Sequence, residues 1–270
     1  MFINVRMPAP EGVAAGQTAT FKLPVGRTFH ELELAYAGVT LAQIDAIRVF
    51  ANGKVIHRYS GADRDSMNQF DGRAAAAGIL ILPFTRYNMK TRAGEGETSL
   101  VTGTPDGISS LYVEVDINAA ALGTTLSMTA SQSENPANIT SGAGTVLHIL
   151  SHTRNPAGAG PFELADLPRG SATTLFLNRI WFKPSANDIS KLIIERDLYT
   201  LFEREKALNE RAQNDGVRTP QAGWVVIDTS ERGYSEVLAL AGASDFRYKL
   251  TTTGAMTLTV YTETMGQLGD

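Results

Sequence analysis

Four histidines, His30, His57, His148 and His152, are the side chains of this 270-residue chain best suited to acid–base or metal chemistry, and their placing argues against both. His148 and His152 are four apart, as in helical zinc pairs, but no Glu follows His148 and the segment reads as a strand. Two strand residues at that spacing share a face yet sit roughly 13 Å apart, too far for one metal. Cysteine is absent, so disulfides, thiolate sites and thiol nucleophiles are excluded. The run Asp63-Arg64-Asp65-Ser66-Met67-Asn68 begins like a calcium loop. It fails where Met67 replaces a ligand and Asn68 replaces the turn glycine. Gly94-Glu95-Gly96 has no Gly-Lys-Ser/Thr after it, and its carboxylate would repel phosphate. There is no Gly-x-Ser-x-Gly elbow. Asn138-Ile139-Thr140 matches a glycosylation acceptor, a pattern without meaning outside a secretory route. Trp181 and Trp224 lie in apolar strands and read as core rather than as sugar-stacking platforms. The charges over 203–211 read as a solvated or subunit-facing flank. No catalytic and no cofactor-binding residue emerges, so the chain reads as something other than an enzyme.

The totals agree. A formal charge of −4 and the lack of a basic run argue against a phosphate-neutralising surface. Hydrophobic residues at 43% suffice for two cores. The start, Met1 to Pro8, lacks a signal-peptide pattern. The longest uncharged apolar stretch, 74–84, is far short of the roughly 20 residues of a membrane span, so the chain reads as soluble.

The elements that would carry any function come in two rounds. Leu23-Pro24-Val25-Gly26 recurs as Leu167-Pro168-Arg169-Gly170, a shift of 167 − 23 = 144. Asp71-Gly72 recurs as Asp215-Gly216 at the same shift, and the pattern of 78–82 returns at 223–227, shifted by 145. Three matches in one register indicate two similar halves. Alternating apolar and polar residues mark strands at 18–23, 32–36, 47–51, 55–59, 111–117, 126–130, 246–250 and 256–260, with apolar strands at 79–84, 145–150, 173–182, 189–196 and 223–227. Asn52-Gly53 between two such runs is a hairpin signal, because both central residues must take positive φ. The stretches 111–117 and 125–130 are expected to pair with each other. A short helix is expected over 62–70, closed by Asp71-Gly72. The long helix is expected over 198–212, from the near-helical spacing of Leu198, Leu201, Phe202, Leu208 and Ala212, closed by Asn214-Asp215-Gly216. The shift falls to 135 by Leu111 and Phe246, so the first half carries 145 − 135 = 10 extra residues between 85 and 111. Only a loop can absorb them without turning core faces outward. That loop, 86–107, is expected to project at one end of the first module.

About eight short strands per half and little helix point to an all-β sandwich or barrel. The expected division is an N-terminal arm 1–16, a first module 17–135 and a second module 136–270, with the Ser-, Asn-, Pro- and Gly-rich stretch 131–144 between them.

The residues Val13-Ala14-Ala15-Gly16, Lys22-Leu23-Pro24-Val25-Gly26, Gly38-Val39-Thr40 with Gln43-Ile44, Arg48-Val49 and Gly53-Lys54 resemble the first half of the major capsid protein of corticoviruses, icosahedral bacteriophages with an internal membrane. Leu164-Ala165-Asp166-Leu167-Pro168-Arg169 resembles its second half. The likeness is dense over 13–60 and thin after 175, and the chain departs from the family in its expected long helix and glycine-rich 91–107 loop. The resemblance implies a double jelly roll, two eight-stranded antiparallel β-barrels in tandem. It implies a homotrimer acting as a pseudo-hexagonal capsomer. Its partners would be neighbouring capsomers, a penton or vertex protein, and the membrane or membrane proteins beneath the shell. The protein would be made in the host cytoplasm and end in the virion. Divalent ions such as calcium between subunits are implied for some members, but no motif residue here carries them over. The competing reading, a tandem β-sandwich carbohydrate-binding module, requires exposed aromatics on one sheet face. A cupin-like enzyme requires a His/Glu cluster.

Overall fold

The computed structural model describes residues 2–87, 89, 91–234 and 236–269, and for Glu95 the backbone only. Met1, Asn88, Lys90, Ser235 and Asp270 lie outside the described residues, including the two that fall within the expected loop 86–107. The chain divides into two compact units, Met1–Ile149 with Gln267–Asp270, and Leu150–Gly266.

Unit 1 contains, in chain order, β1 (Ile3–Arg6), β2 (Thr18–Leu23), β3 (Thr28–Ala37), a 3-10 turn (Leu41–Gln43), β4 (Ile44–Ala51), β5 (Lys54–Tyr59), α1 (Gly61–Phe70), β6 (Ile79–Pro83), α2 (Arg92–Gly96), β7 (Leu100–Val101), β8 (Leu111–Ile117) and β9 (Thr125–Ser133). The chain passes from unit 1 to unit 2 within β10 (Val146–Arg154). Unit 2 then adds β11 (Gly160–Leu164), β12 (Phe176–Pro184), β13 (Ile189–Arg196), β14 (Tyr199–Glu205), α3 (Lys206–Gln213), β15 (Val225–Asp228), β16 (Leu238–Ala239), β17 (Phe246–Thr252) and β18 (Leu258–Gly266).

The strand order of β2 to β9 in unit 1 is that of β11 to β18 in unit 2, and β10 neighbours β18 as β1 neighbours β9. In unit 1, β2-β8-β4-β5 form one antiparallel run, while β1-β9-β3-β6 form the other with β7 also against β3. In unit 2 the runs are β11-β17-β13-β14 and β18-β12-β15, with β16 against β12. In each unit the inward residue of every second position is buried: β8 and β17 both read buried–intermediate–buried along their length. The core of unit 2 draws Leu192, Ile194, Tyr248 and Leu250 from one run and Leu177, Ile180, Phe182 and Val260 from the other. Each such side chain contributes about 1.5–3 kcal/mol by leaving water. This is the expected all-β pair of jelly rolls.

The Asn52-Gly53 hairpin is present, with φ of 51° and 76°, as is the helix stop at Gly72. The extra length sits where the arithmetic placed it. Residues 84–110 connect β6 to β8 (110 − 83 = 27) and 229–245 connect β15 to β17 (245 − 228 = 17). That longer segment is only partly a projection. Arg86 is buried and paired with Glu97 at 3.1 Å, and the Thr98 hydroxyl donates to the Phe84 carbonyl at 2.8 Å.

Four expectations are corrected. First, the long helix of the second barrel is a hairpin strand, β14, followed by an eight-residue helix, α3, shorter than the ten residues of α1. Its turn is Asp197-Leu198, both at positive φ (49° and 71°). With no glycine to mark that turn, the apolar spacing of Leu198, Leu201 and Phe202 imitates a helix. Second, β8 and β9 do not pair. They lie in different runs, joined by residues 118–124. Alternation shows that a strand has one wet face, not which neighbour it takes. Third, residues 1–16 are not a free arm. β1 pairs antiparallel with β9, the Met7 N–H donates to the Met128 carbonyl at 2.9 Å, and Glu11 bridges Thr20. Fourth, the chain divides between Ile149 and Leu150 rather than between 135 and 136, because the start of β10 packs into unit 1.

Candidate functional site

The residues that could carry chemistry are dispersed. His57 is fully buried, its Nε2 3.0 Å from the Leu147 carbonyl. Burial first, then the Arg64 charge, holds its pKa down at about 3, so it is neutral at ordinary pH. His148 Nε2 lies 2.9 Å from the Gln267 carbonyl and His30 Nε2 2.8 Å from the Ser133 hydroxyl. Burial lowers the pKa of both, and of His152 in unit 2. Asp63 to Asn68 lie inside α1, whose Ser60 cap accepts the Asp63 N–H at 3.1 Å, so they cannot form a calcium loop. Gly94 and Gly96 lie in α2. Asn138 and Thr140 are exposed. No group of three or more His, Asp or Glu comes together among the described residues.

Trp181 and Trp224 are core, 1% and 5% exposed, meeting edge to face with centroids 6.0 Å apart. The Trp181 indole N–H donates to Glu263 at 2.8 Å, and the Asn178 amide donates to the other Glu263 oxygen at 2.9 Å. Beside them lies a network that no sequence pattern announced. Asp228, on β15, takes Arg179 at 3.1 Å and Arg218 at 2.6 Å, and its other oxygen accepts from the Ser230 hydroxyl at 2.6 Å. Burial alone would raise the Asp228 pKa, but the two guanidiniums outweigh it and hold it at about 2. A carboxylate so committed is no general base; it anchors the segment 215–231 to β12. Several of the charges over 203–211 are tied down as well: Glu203 to Lys191, Arg204 to Glu231 by two bonds, and Lys206 to Asp188.

What unit 2 leaves open is an edge. β14 closes its run, and among the described residues no strand lies on its outer side. Leu198 (91% exposed), Tyr199 (76%) and Leu201 (47%) stand on or beside it. A cleft of about 370 Å³ runs from Leu201 and Phe202 to Glu231 and Leu238. Unpaired N–H and C=O groups with apolar side chains between them form a template for another strand. The matching strand of unit 1 is not open. β5 takes the start of β10 alongside, Ile149 opposite His57, and Lys54 Nζ donates to the Gly269 carbonyl at 2.6 Å.

Two all-β modules of one strand order define a double jelly roll, the fold of viral coat proteins. The crystal structure of the major capsid protein P2 from bacteriophage PM2 matches 100% of this chain and 98% of its own length, with a TM-score of 0.89 at 24% identity. The STIV major capsid protein matches 99% of this chain and 97% of its own, with a TM-score of 0.73 at 11% identity. In sequence, the models of the viral coat protein P2 N-terminal and C-terminal domains match residues 4–133 and 146–268. The major capsid protein P2 of Pseudoalteromonas phage PM2 is 34% identical over 167 residues, 58% of this chain and 57% of that relative's length. The chain belongs to the P2 family of viral coat proteins; it is structural, not an enzyme.

Proposed function

We propose that this coat protein is the major capsid protein of an icosahedral bacteriophage and builds homotrimeric capsomers over an internal membrane. The observation that carries this is the repeat of one strand order in both units. Three chains then present six similar modules, which pack as a near-hexagon and tile a shell. Neighbouring capsomers and a vertex protein are its partners in the virion. No helix among the described residues is long and apolar enough to cross a membrane. A divalent cation such as calcium belongs to this reading only as a bridge between copies. The burial of Trp181 and Trp224 disfavours the carbohydrate-binding alternative. Sedimentation of the purified chain tests the trimer: a species of three chains is expected, and a strict monomer over a wide concentration range overturns it. Electron microscopy of the native assembly tests the shell and the membrane.

A further inference from the structure

We propose that the bare edge of β14 is covered by β1 of a second copy, in parallel, with Val5 beside Phe202. This rests on the trimer reading above and specifies the contact that closes it. The warrant is internal. His57 lies opposite Val49 and Phe202 opposite Ile194 in the two hairpins, each pair shifted by 145 (202 − 57, 194 − 49), so Phe202 stands where His57 does. Counted by the 144 shift of the Leu-Pro motif, Val5 is set level with Ile149 (149 − 144 = 5). Ile149 meets His57 in a parallel bridge and is 1% exposed.

Val5 lies opposite the buried Ala130 and so faces the core side, yet it remains 36% exposed. β1 ends its own run, and among the described residues no strand lies beyond it. One chain thus carries two open edges, of the same kinds as the two that meet at β5 and β10. A contact between unlike patches closes into a ring when the rotation permits.

The side chains suit each other. This register sets Asn4 beside Leu201 and Arg6 beside Glu203. Arg6 is exposed, and the Glu203 side chain is 51% exposed beside Lys191. The inward pair is apolar and the outward pair is of opposite charge, which is favourable between neighbouring strands.

The chain has no cysteine, so an introduced pair reports only itself. Asn4→Cys with Leu201→Cys in the full chain, oxidised with diamide, is expected to give bands of two and three linked chains that collapse on reduction. Each single variant is expected to remain one chain in size. The displaced pair Asn4→Cys with Glu205→Cys, roughly 13 Å out of register, is expected to link far less. Sedimentation of the unoxidised variants shows that they still assemble. A three-chain species without linking at 4 and 201 overturns the β1–β14 contact and leaves the trimer standing. A one-chain species for the unaltered protein overturns both.

Discussion

At one rung of the β3–β6 pair, unit 1 sets Glu31 opposite Pro83; at the corresponding rung of β12–β15, unit 2 sets Arg179 opposite Asp228. In both units an arginine just past the helix-stop glycine reaches that rung. Arg73, after Gly72, donates to Glu31 at 2.7 Å, and Arg218, after Gly216, donates to Asp228 at 2.6 Å. The acid has moved from one strand to its neighbour while the arginine kept its post. The topology therefore fixes where a charge must be met, and the sequence is free to choose which strand meets it. Burial differs as well. The side chains of Asp228, Arg218 and Arg179 are 0%, 2% and 4% exposed, against 25% for Glu31 and 11% for Arg73.

That difference sets the largest expected effect. Asp228→Ala leaves two buried guanidiniums one carboxylate short and is expected to cost about 3–5 kcal/mol. Glu31→Ala, at a wetter rung, is expected to cost about 1 kcal/mol. Thermal or denaturant unfolding of both variants checks this, and equal costs would break the comparison.

Little of that rung was legible beforehand. Arg179 and Asp228 are far apart in sequence and meet only through the strand register. The Asn52-Gly53 hairpin was legible because its residues advertise the positive φ they adopt. β1 was missed because four residues are too short for a period, although the signal existed. Shifting the apolar strand at 145–150 back by 144 lands on residues 1–6. Taken as repeats, the two halves predict one another better than either predicts itself.

The second effect separates His57 from Asp228 by pH. His57, in unit 1, has its folded pKa lowered to about 3 from 6.5. The unfolded chain takes up a proton below pH 6.5 and the folded chain does not, so stability falls as pH falls from 6.5 toward 3. Between pH 7 and 5 the loss is about 2 kcal/mol. Asp228, in unit 2, is lowered to about 2 from 3.8, so its contribution is intact above about pH 4 and is lost only as pH falls through 2. His57→Gln is expected to reduce the pH 7 to 5 slope of stability, the remainder coming from His30, His148 and His152, whose pKa values burial also lowers, and Asp228→Asn to leave that slope unchanged. A wild-type slope in His57→Gln would refute the assignment.

The smallest effect lies at the two hairpins, which are the same turn built well and badly. Gly53 and Leu198 share a position (198 − 53 = 145) and nearly the same φ, 76° and 71°. A Cβ added at Gly53 meets no atom within 4 Å, so Gly53→Val is opposed by backbone strain alone, about 1–2 kcal/mol. Leu198 already bears that strain, and at 91% exposure it gains almost no burial in return. Leu198→Gly is therefore expected to raise the stability of unit 2 by about 1 kcal/mol, seen as a higher unfolding midpoint of the unassembled chain. Opposite signs for the two substitutions would show that the turn geometry is shared and only its residues differ. A midpoint lowered by Leu198→Gly would mean that this leucine packs within its own unit rather than standing free beside the open edge.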